Sequence, residues 1–248
     1  MFQNLFRNIS PVVKNLLILN VLFFVAQSAI SGFTENLALY PISSEEFKPW
    51  QLVTHFFMHS TPGFMHIFFN MFALVMFGTQ LERVWGPKKF LIYYLATALG
   101  AAFLHLTVGY LRLKNIESGL SPAELNQILT EGFEQIKNGK FVYAEPILRE
   151  ANQSLYILYN TPMLGASGAV FGLLAAYGYL FPNTELYLMF IPVPIKAKYF
   201  VMGYAAIELF SGIANSPGDN VAHFAHLGGA LVGIVMVIIW QRQKNQFF

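Results

Sequence analysis

A serine and a histidine, each set among small residues inside apolar surroundings, are the side chains of this sequence best placed to do chemistry. Gly165-Ala166-Ser167-Gly168 opens one apolar stretch, and Ala225-His226-Leu227-Gly228-Gly229 lies inside another. Polar groups at membrane depth are costly, so they face a protein interior and commonly carry function. Serine is a weak nucleophile until a base takes its proton, and a neutral imidazole is the usual base near pH 7. The pair suggests Ser167 as nucleophile and His226 as base, buried in a membrane. Plainer readings stand beside these. Gly168 to Gly172 is also a small-xxx-small stripe for helix packing, and His226 could make an interhelical contact without catalysis. His223 lies one turn before His226 and could be the base instead; its nearness to Asp219-Asn220 predicts a wetter position.

His66 and Asn70 are four residues apart, which puts them on one face of a helix. Both can donate hydrogen bonds, and donors aimed at a developing oxyanion are often the largest catalytic term. A structural hydrogen-bonding pair is the other reading. Pro162 and Gly165 place a helix start near Ser167, so backbone amides would point at charge forming beside it. His55 and His59 share the same spacing, but no carboxylate neighbours either, and phenylalanine stands where a zinc protease motif has glutamate. They read as structural histidines. Glu82 and Arg83 read as local anchors at a helix end. Glu208 is a lone acid in an apolar stretch, to which a structural role is assigned. No acid is placed by sequence to complete a triad with His226, so a Ser–His dyad is the economical proposal.

These residues need rigid elements to hold them, and the composition says which kind. The 248-residue chain is 55% hydrophobic and 11% charged, against about 25% charged in a typical soluble domain. Six candidate spans follow at 12–33, 64–80, 90–110, 164–181, 197–213 and 221–240. Each approaches the roughly 20 apolar residues that a crossing needs. With no cysteine, disulfides and thiolate metal sites are excluded. The net charge of +2 is too small to suggest nucleic acid binding.

Charge distribution gives the orientation. Arg7, Lys14, Arg83, Lys88, Lys89, Lys196, Lys198, Arg242 and Lys244 fall on one side with only Glu82 and Glu185; the other side carries most of the acids. The basic side is retained in the cytoplasm, so both termini are expected there. No targeting extension is read ahead of the first span, which points to a bacterial inner (cytoplasmic) membrane.

Two connections are irregular. Residues 34–59 are too apolar for a plain loop and too broken for a span. Residues 111–162 form a polar outer insertion, in which Ser121-Pro122-Ala123-Glu124 reads as a capping box. Leu125, Ile128, Leu129, Phe133 and Ile136 follow at helical spacing, Asn138-Gly139 ends that helix, and 146–159 can form a second. The insertion is either a lid over a site or a packed accessory hairpin. The proline-broken segment 182–196 reads as a loop.

Taken together, these motifs resemble the rhomboid family of intramembrane serine proteases. Gly165-Ala166-Ser167-Gly168 is similar to the family's nucleophile motif, Ala225-His226 with Gly228-Gly229 to its base motif, and His66-Ile67-Phe68-Phe69-Asn70 to its oxyanion-binding element. The resemblance implies an all-α membrane protein, a six-transmembrane-helix rhomboid-like bundle with an extracytoplasmic helical insertion. Residues 1–248 would be a single membrane domain, interrupted by 111–162.

The resemblance also implies cleavage of transmembrane protein substrates in the bilayer, without a cofactor. The serine would sit in a wet cavity, with the fifth helix forming a lateral gate. Departures from the family pattern are Gln51 after Trp50, where arginine is common, and Phe171, where many members have a tyrosine stacked on the histidine. Two extra residues also lie between His59 and His66, and the outer insertion is long. The alternative function is a non-catalytic rhomboid-like protein that binds transmembrane helices.

Overall fold

The computed structural model of the chain describes residues 8–61, 63–139, 143, 145–187, 193–214 and 221–245. It is nearly all-α. Helix α1 (Pro11–Ala29) starts with proline in its first turn, and α2 (Phe33–Leu37) and α3 (Gln51–Thr54) are short. Helix α4 spans Phe64–Trp85 and contains a π-helical turn at Leu74–Gly78. Gly86, at φ 81°, ends it, and Pro87 opens α5 (Pro87–Ser118) directly. Glycine at the left-handed stop and proline at the next first turn join two long helices through one residue.

The next helices are α6 (Pro122–Gln127), α7 (Phe133–Lys137), α8 (Pro146–Asn160) and α9 (Ser167–Leu180). Then come the strands β1 (Glu185–Leu186) and β2 (Ile195–Lys196), α10 (Ala197–Ala214) and α11 (His223–Asn245).

Among the described residues, four of the six expected spans meet both length and apolarity for a crossing: α1, α4, α5 and His223–Gln243 of α11. Helix α9 is apolar but only 14 residues long. That is about 21 Å of rise against roughly 30 Å of hydrocarbon. Helix α10 has 18 residues and carries Lys198 and Glu208. Large apolar side chains face outward on the long helices: Phe103 on α5 and Phe210 on α10 are each 73% exposed. Exposed apolar surface on this scale needs a cover, and on helices of this length a bilayer supplies it.

Three expectations change in detail. The 90–110 helix runs on to Ser118, so 111–118 are its last turns rather than the start of a loop. The chain is not wholly helical: Glu185 pairs with Lys196 and Leu186 with Ile195 in an antiparallel pair, within the stretch read as a loop. Glu82 does not bond locally; its carboxylate reaches back to accept from the N–H groups of Val12 and Val13, both at 3.0 Å. Those are orphan donors of the first turn of α1, and a negative charge there also suits the helix dipole. Arg83 Nη2 donates to the Asn8 carbonyl at 2.6 Å, so the pair staples α4 to α1.

The capping box forms: Ser121 Oγ accepts from the Glu124 N–H, and Glu124 Oε2 accepts from the Ser121 N–H. The hairpin from α6 to α8 closes over a small core of Leu113, Ile128, Tyr143 and Leu155. It is thus packed on the C-terminal end of α5, while Ile157 and Leu158 reach the lining of the central cavity.

Helix α9 is the centre of the bundle, held between α5 and α11. Gly168 through Gly178 are all buried, as expected of a helix that is apolar all round. The backbones meet at glycines. A Cβ added at Gly229 would stand 1.9 Å from the Gly168 carbonyl oxygen, and one at Gly168 2.3 Å from Ala101 Cβ. Tyr93, fully buried, donates its hydroxyl to the Gly172 carbonyl at 2.7 Å.

Gly229→Ala must therefore force α11 off α9. The expected cost is about 1–3 kcal/mol of overpacking strain, read as a lower melting temperature of the detergent-solubilised protein. Gly203→Ala on α10, where a Cβ meets nothing within 4 Å, leaves the melting temperature unchanged.

Candidate active site

Ser167 owes its place to the strand-like chain before it. Met163 and Leu39 exchange backbone hydrogen bonds at 2.8 Å in both directions, and the Gly165 N–H donates to the His55 carbonyl at 2.9 Å. Gly165 has φ 125°, and a Cβ there would lie 3.1 Å from Cε1 of His66. Backbone geometry and lack of space both call for glycine. The helix starts at the next turn, with Ser167 as the first residue of α9.

His226 comes from the first turn of α11. Its Nε2 lies 2.9 Å from Ser167 Oγ. Its Nδ1 lies 2.9 Å from Glu208 Oε2, and His223 Nδ1 lies 2.6 Å from the same oxygen. An ionised carboxylate only accepts, so both Nδ1 atoms donate to it. That leaves the His226 Nε2 lone pair to accept the Ser167 hydroxyl proton. Phe171, one turn into α9, stacks on the His226 ring with centroids 4.2 Å apart and planes 4° from parallel. The missing tyrosine hydroxyl has not cost the stack. Of the two candidate bases, His226 meets the serine and is buried; His223 is the more exposed and reaches the Glu208 carboxylate.

His66 Nδ1 accepts from the Ser60 N–H at 3.1 Å. A neutral ring then carries its proton on Nε2, the atom on the Gly165 side of the ring. Asn70 spends one amide hydrogen on the His66 carbonyl at 2.8 Å. Both residues line the cavity of about 1620 Å³ that Ser167, His226 and Glu208 also line. The four residues singled out from sequence are thus brought to one cavity, with a serine hydroxyl bonded to an imidazole and two donor side chains on a facing helix.

His55 and His59 lie behind this wall rather than in it. His55 Nδ1 donates to the Gln51 carbonyl at 2.7 Å, and His59 Nε2 to Asn20 Oδ1 at 2.8 Å. Burial pushes the His55 imidazole down to about 4 and that of His59 to about 3, with His66 adding to the latter. Both stay neutral at pH 7. The His59 ring meets His66 edge to face at 5.3 Å, and the His55 carbonyl holds Gly165. The pair props the site from the 34–59 segment.

Glu208 is the functional candidate that sequence reasoning gave only a structural part. It is the one acid inside the α10 stretch, which was a visible signal. Its partner lies 18 residues on, on the next helix, so no helical register linked the two.

A Rhomboid domain family model matches residues 46–124 and 128–243. The chain is 33% identical to "RHOMBOID-like protein 12, mitochondrial" of Arabidopsis thaliana over 84% of this chain and 52% of that protein. It is 26% identical to "Rhomboid protein 1, mitochondrial" of Saccharomyces cerevisiae over 69% of this chain and 37% of that protein. It is also 24% identical to "Rhomboid protease AarA" of Providencia stuartii over 77% of this chain and 56% of that protein. The chain thus spans about half the length of the relatives it matches, or less. Two of these names are mitochondrial, so they do not support the bacterial inner membrane expected from the sequence.

The stacked ring makes a direct prediction. An aromatic contact is worth about 0.5–1.5 kcal/mol beyond its buried area. Phe171→Ala should slow acylation of Ser167 by a serine-directed fluorophosphonate by roughly threefold to tenfold, and Phe171→Tyr should hold the wild-type rate.

Proposed function

We propose, from the premise that this chain belongs to the rhomboid family, that it is an intramembrane serine endopeptidase cleaving transmembrane protein substrates. The observation that carries the reading is the 2.9 Å contact between Ser167 Oγ and His226 Nε2. It lies at the start of an apolar helix too short to cross a bilayer and opens on a cavity shared with His66 and Asn70.

In the proposed reaction His226 Nε2 takes the Ser167 hydroxyl proton as Oγ bonds to the scissile carbonyl carbon. The oxyanion is held by the His66 Nε2–H, the Asn70 amide and the Ser167 backbone N–H. The imidazolium then gives its proton to the leaving amine as the C–N bond breaks, leaving an acyl-serine. A water, deprotonated by the same Nε2, attacks the ester, and the new carboxyl end departs with Ser167 restored. These side chains suffice for each proton transfer, and no step calls for a cofactor.

The architecture proposed with it is a single six-transmembrane-helix domain over 1–248, made of α1, α4, α5, α10 and α11 with the short α9, which begins partway into the membrane and completes its crossing with the extended chain before Ser167. The 111–162 stretch forms the insertion on the side opposite both termini. The support is the basic excess at the C-terminal end of α4 and the N-terminal ends of α5 and α10, which the proposed alternation of crossings puts on one side. On this reading the shortness of α9 places Ser167 below the membrane surface, where a substrate helix must unwind to present a carbonyl.

Ser167→Ala and His226→Ala should each abolish cleavage of a transmembrane reporter while leaving the protein folded. A fluorophosphonate should label wild type and not Ser167→Ala; a wild-type protein that resists labelling is a helix-binding protein and not a protease. Asn70→Ala or His66→Ala should lower kcat by about 100-fold to 1000-fold, the usual loss for one oxyanion donor.

A further inference from the structure

We infer that Glu208 is a positioning residue for the Ser167–His226 pair, holding His226 with its proton on Nδ1 and steadying the imidazolium formed during turnover. The inference rests on the serine endopeptidase reading and deepens it from two working residues to three.

The geometry is that of a relay of hydrogen bonds across three helices. Glu208 Oε2 on α10 faces His226 Nδ1 on α11 at 2.9 Å, and His226 Nε2 faces Ser167 Oγ on α9 at 2.9 Å. The carboxylate is 4% exposed. A charge so placed is expensive unless its lone pairs are taken up, and here two imidazole N–H groups take up Oε2. Histidine exchanges its proton between two ring nitrogens, and only the tautomer with a bare Nε2 can accept from Ser167. An acceptor at Nδ1 selects that tautomer. Phe171 stacks on the ring face and restrains its tilt, but a hydrocarbon ring cannot choose the protonated nitrogen. That choice falls to Glu208.

A merely structural role is the competing account: the same bonds also tie α10 to α11. Glutamine separates the two, because it keeps the shape and can still hydrogen-bond. Its amide can donate to Nδ1, which favours the tautomer with a proton on Nε2 and so spoils the base.

The test is turnover of a transmembrane reporter substrate by wild type, Ser167→Ala, Glu208→Gln and Glu208→Asp in proteoliposomes, with melting temperatures measured alongside. Glu208→Gln should lose at least about 100-fold in kcat, on the scale of the loss when a triad acid is made an amide. KM and melting temperature should stay at wild-type values. Glu208→Asp should recover at least tenfold of that loss. Wild-type kcat in Glu208→Gln, or a loss of kcat that only tracks a fallen melting temperature, would overturn the inference and leave the protease reading standing. Wild type that turns over no better than Ser167→Ala would overturn both. If the glutamine variant does not fold, nitrogen-15 NMR of histidine-labelled wild type decides: a protonated Nδ1 and bare Nε2 on His226 supports the inference, and the reverse ends it.

Discussion

The contact between the backbones of α9 and α11 at Gly168 and Gly229 is the constraint on which the site depends. Serine and histidine side chains are short. They can share a 2.9 Å hydrogen bond across two helices only if those helices lie closer than ordinary side chains allow. A hypothetical Cβ at Gly229 would fall 1.9 Å from the Gly168 carbonyl oxygen, so glycine is what lets the helices meet. In lipid, apolar burial gives little drive for helices to associate, and close backbone packing supplies it instead. The stripe that reads as packing and the residues that read as chemistry are therefore one design. Gly168 follows Ser167 directly, and Gly229 lies one turn beyond His226.

Buried carboxylates are the second organising feature. Glu82 accepts from the first free amides of α1, and Glu208 from two imidazoles of α11. Each bonds to an element far away in sequence, and each is met by enough donors to offset the cost of leaving water. Around the site, neutral groups do similar work. His55 holds Gly165 through its carbonyl, and His59 braces the ring of His66 while anchored to Asn20. Two of the six histidines thus position other groups of the site, and the Ser167–His226 pair sits in front of them.

What could be read in the sequence follows from the range of the interactions. His66 and Asn70 share a helical face, and Ser167 stands at a helix start marked by Pro162 and Gly165; such relations are local, and spacing reveals them. The capping box at Ser121 and Glu124 was legible for the same reason. Glu208 with His226, and Glu82 with Val12 and Val13, pair across 18 and about 70 residues. Their register is set by how helices pack, which no periodicity encodes. The edge pairing of Glu185 with Lys196 and the run of α5 to Ser118 were also hidden, because prolines mask the first and polar residues the second.

Helix α10 shows how packing and chemistry become one question. Of its residues only Ala197, Glu208 and Gly212 are buried, and most of its apolar side chains point away from the bundle. A bilayer is as apolar as those side chains, so it exerts little pressure to keep α10 against its neighbours. Polar contacts weigh more: Glu208 to both histidines of α11, and Arg112 Nη2 of α5 to the Gly212 carbonyl at 2.6 Å. The carboxylate bonded to the His226 imidazole is therefore also a tie that holds α10 beside the cavity. Phe200 and Tyr204 of α10 line the cavity with Glu208, so the helix held by that bond is also one of the cavity walls. One carboxylate thus links the position of that helix to the His226 imidazole.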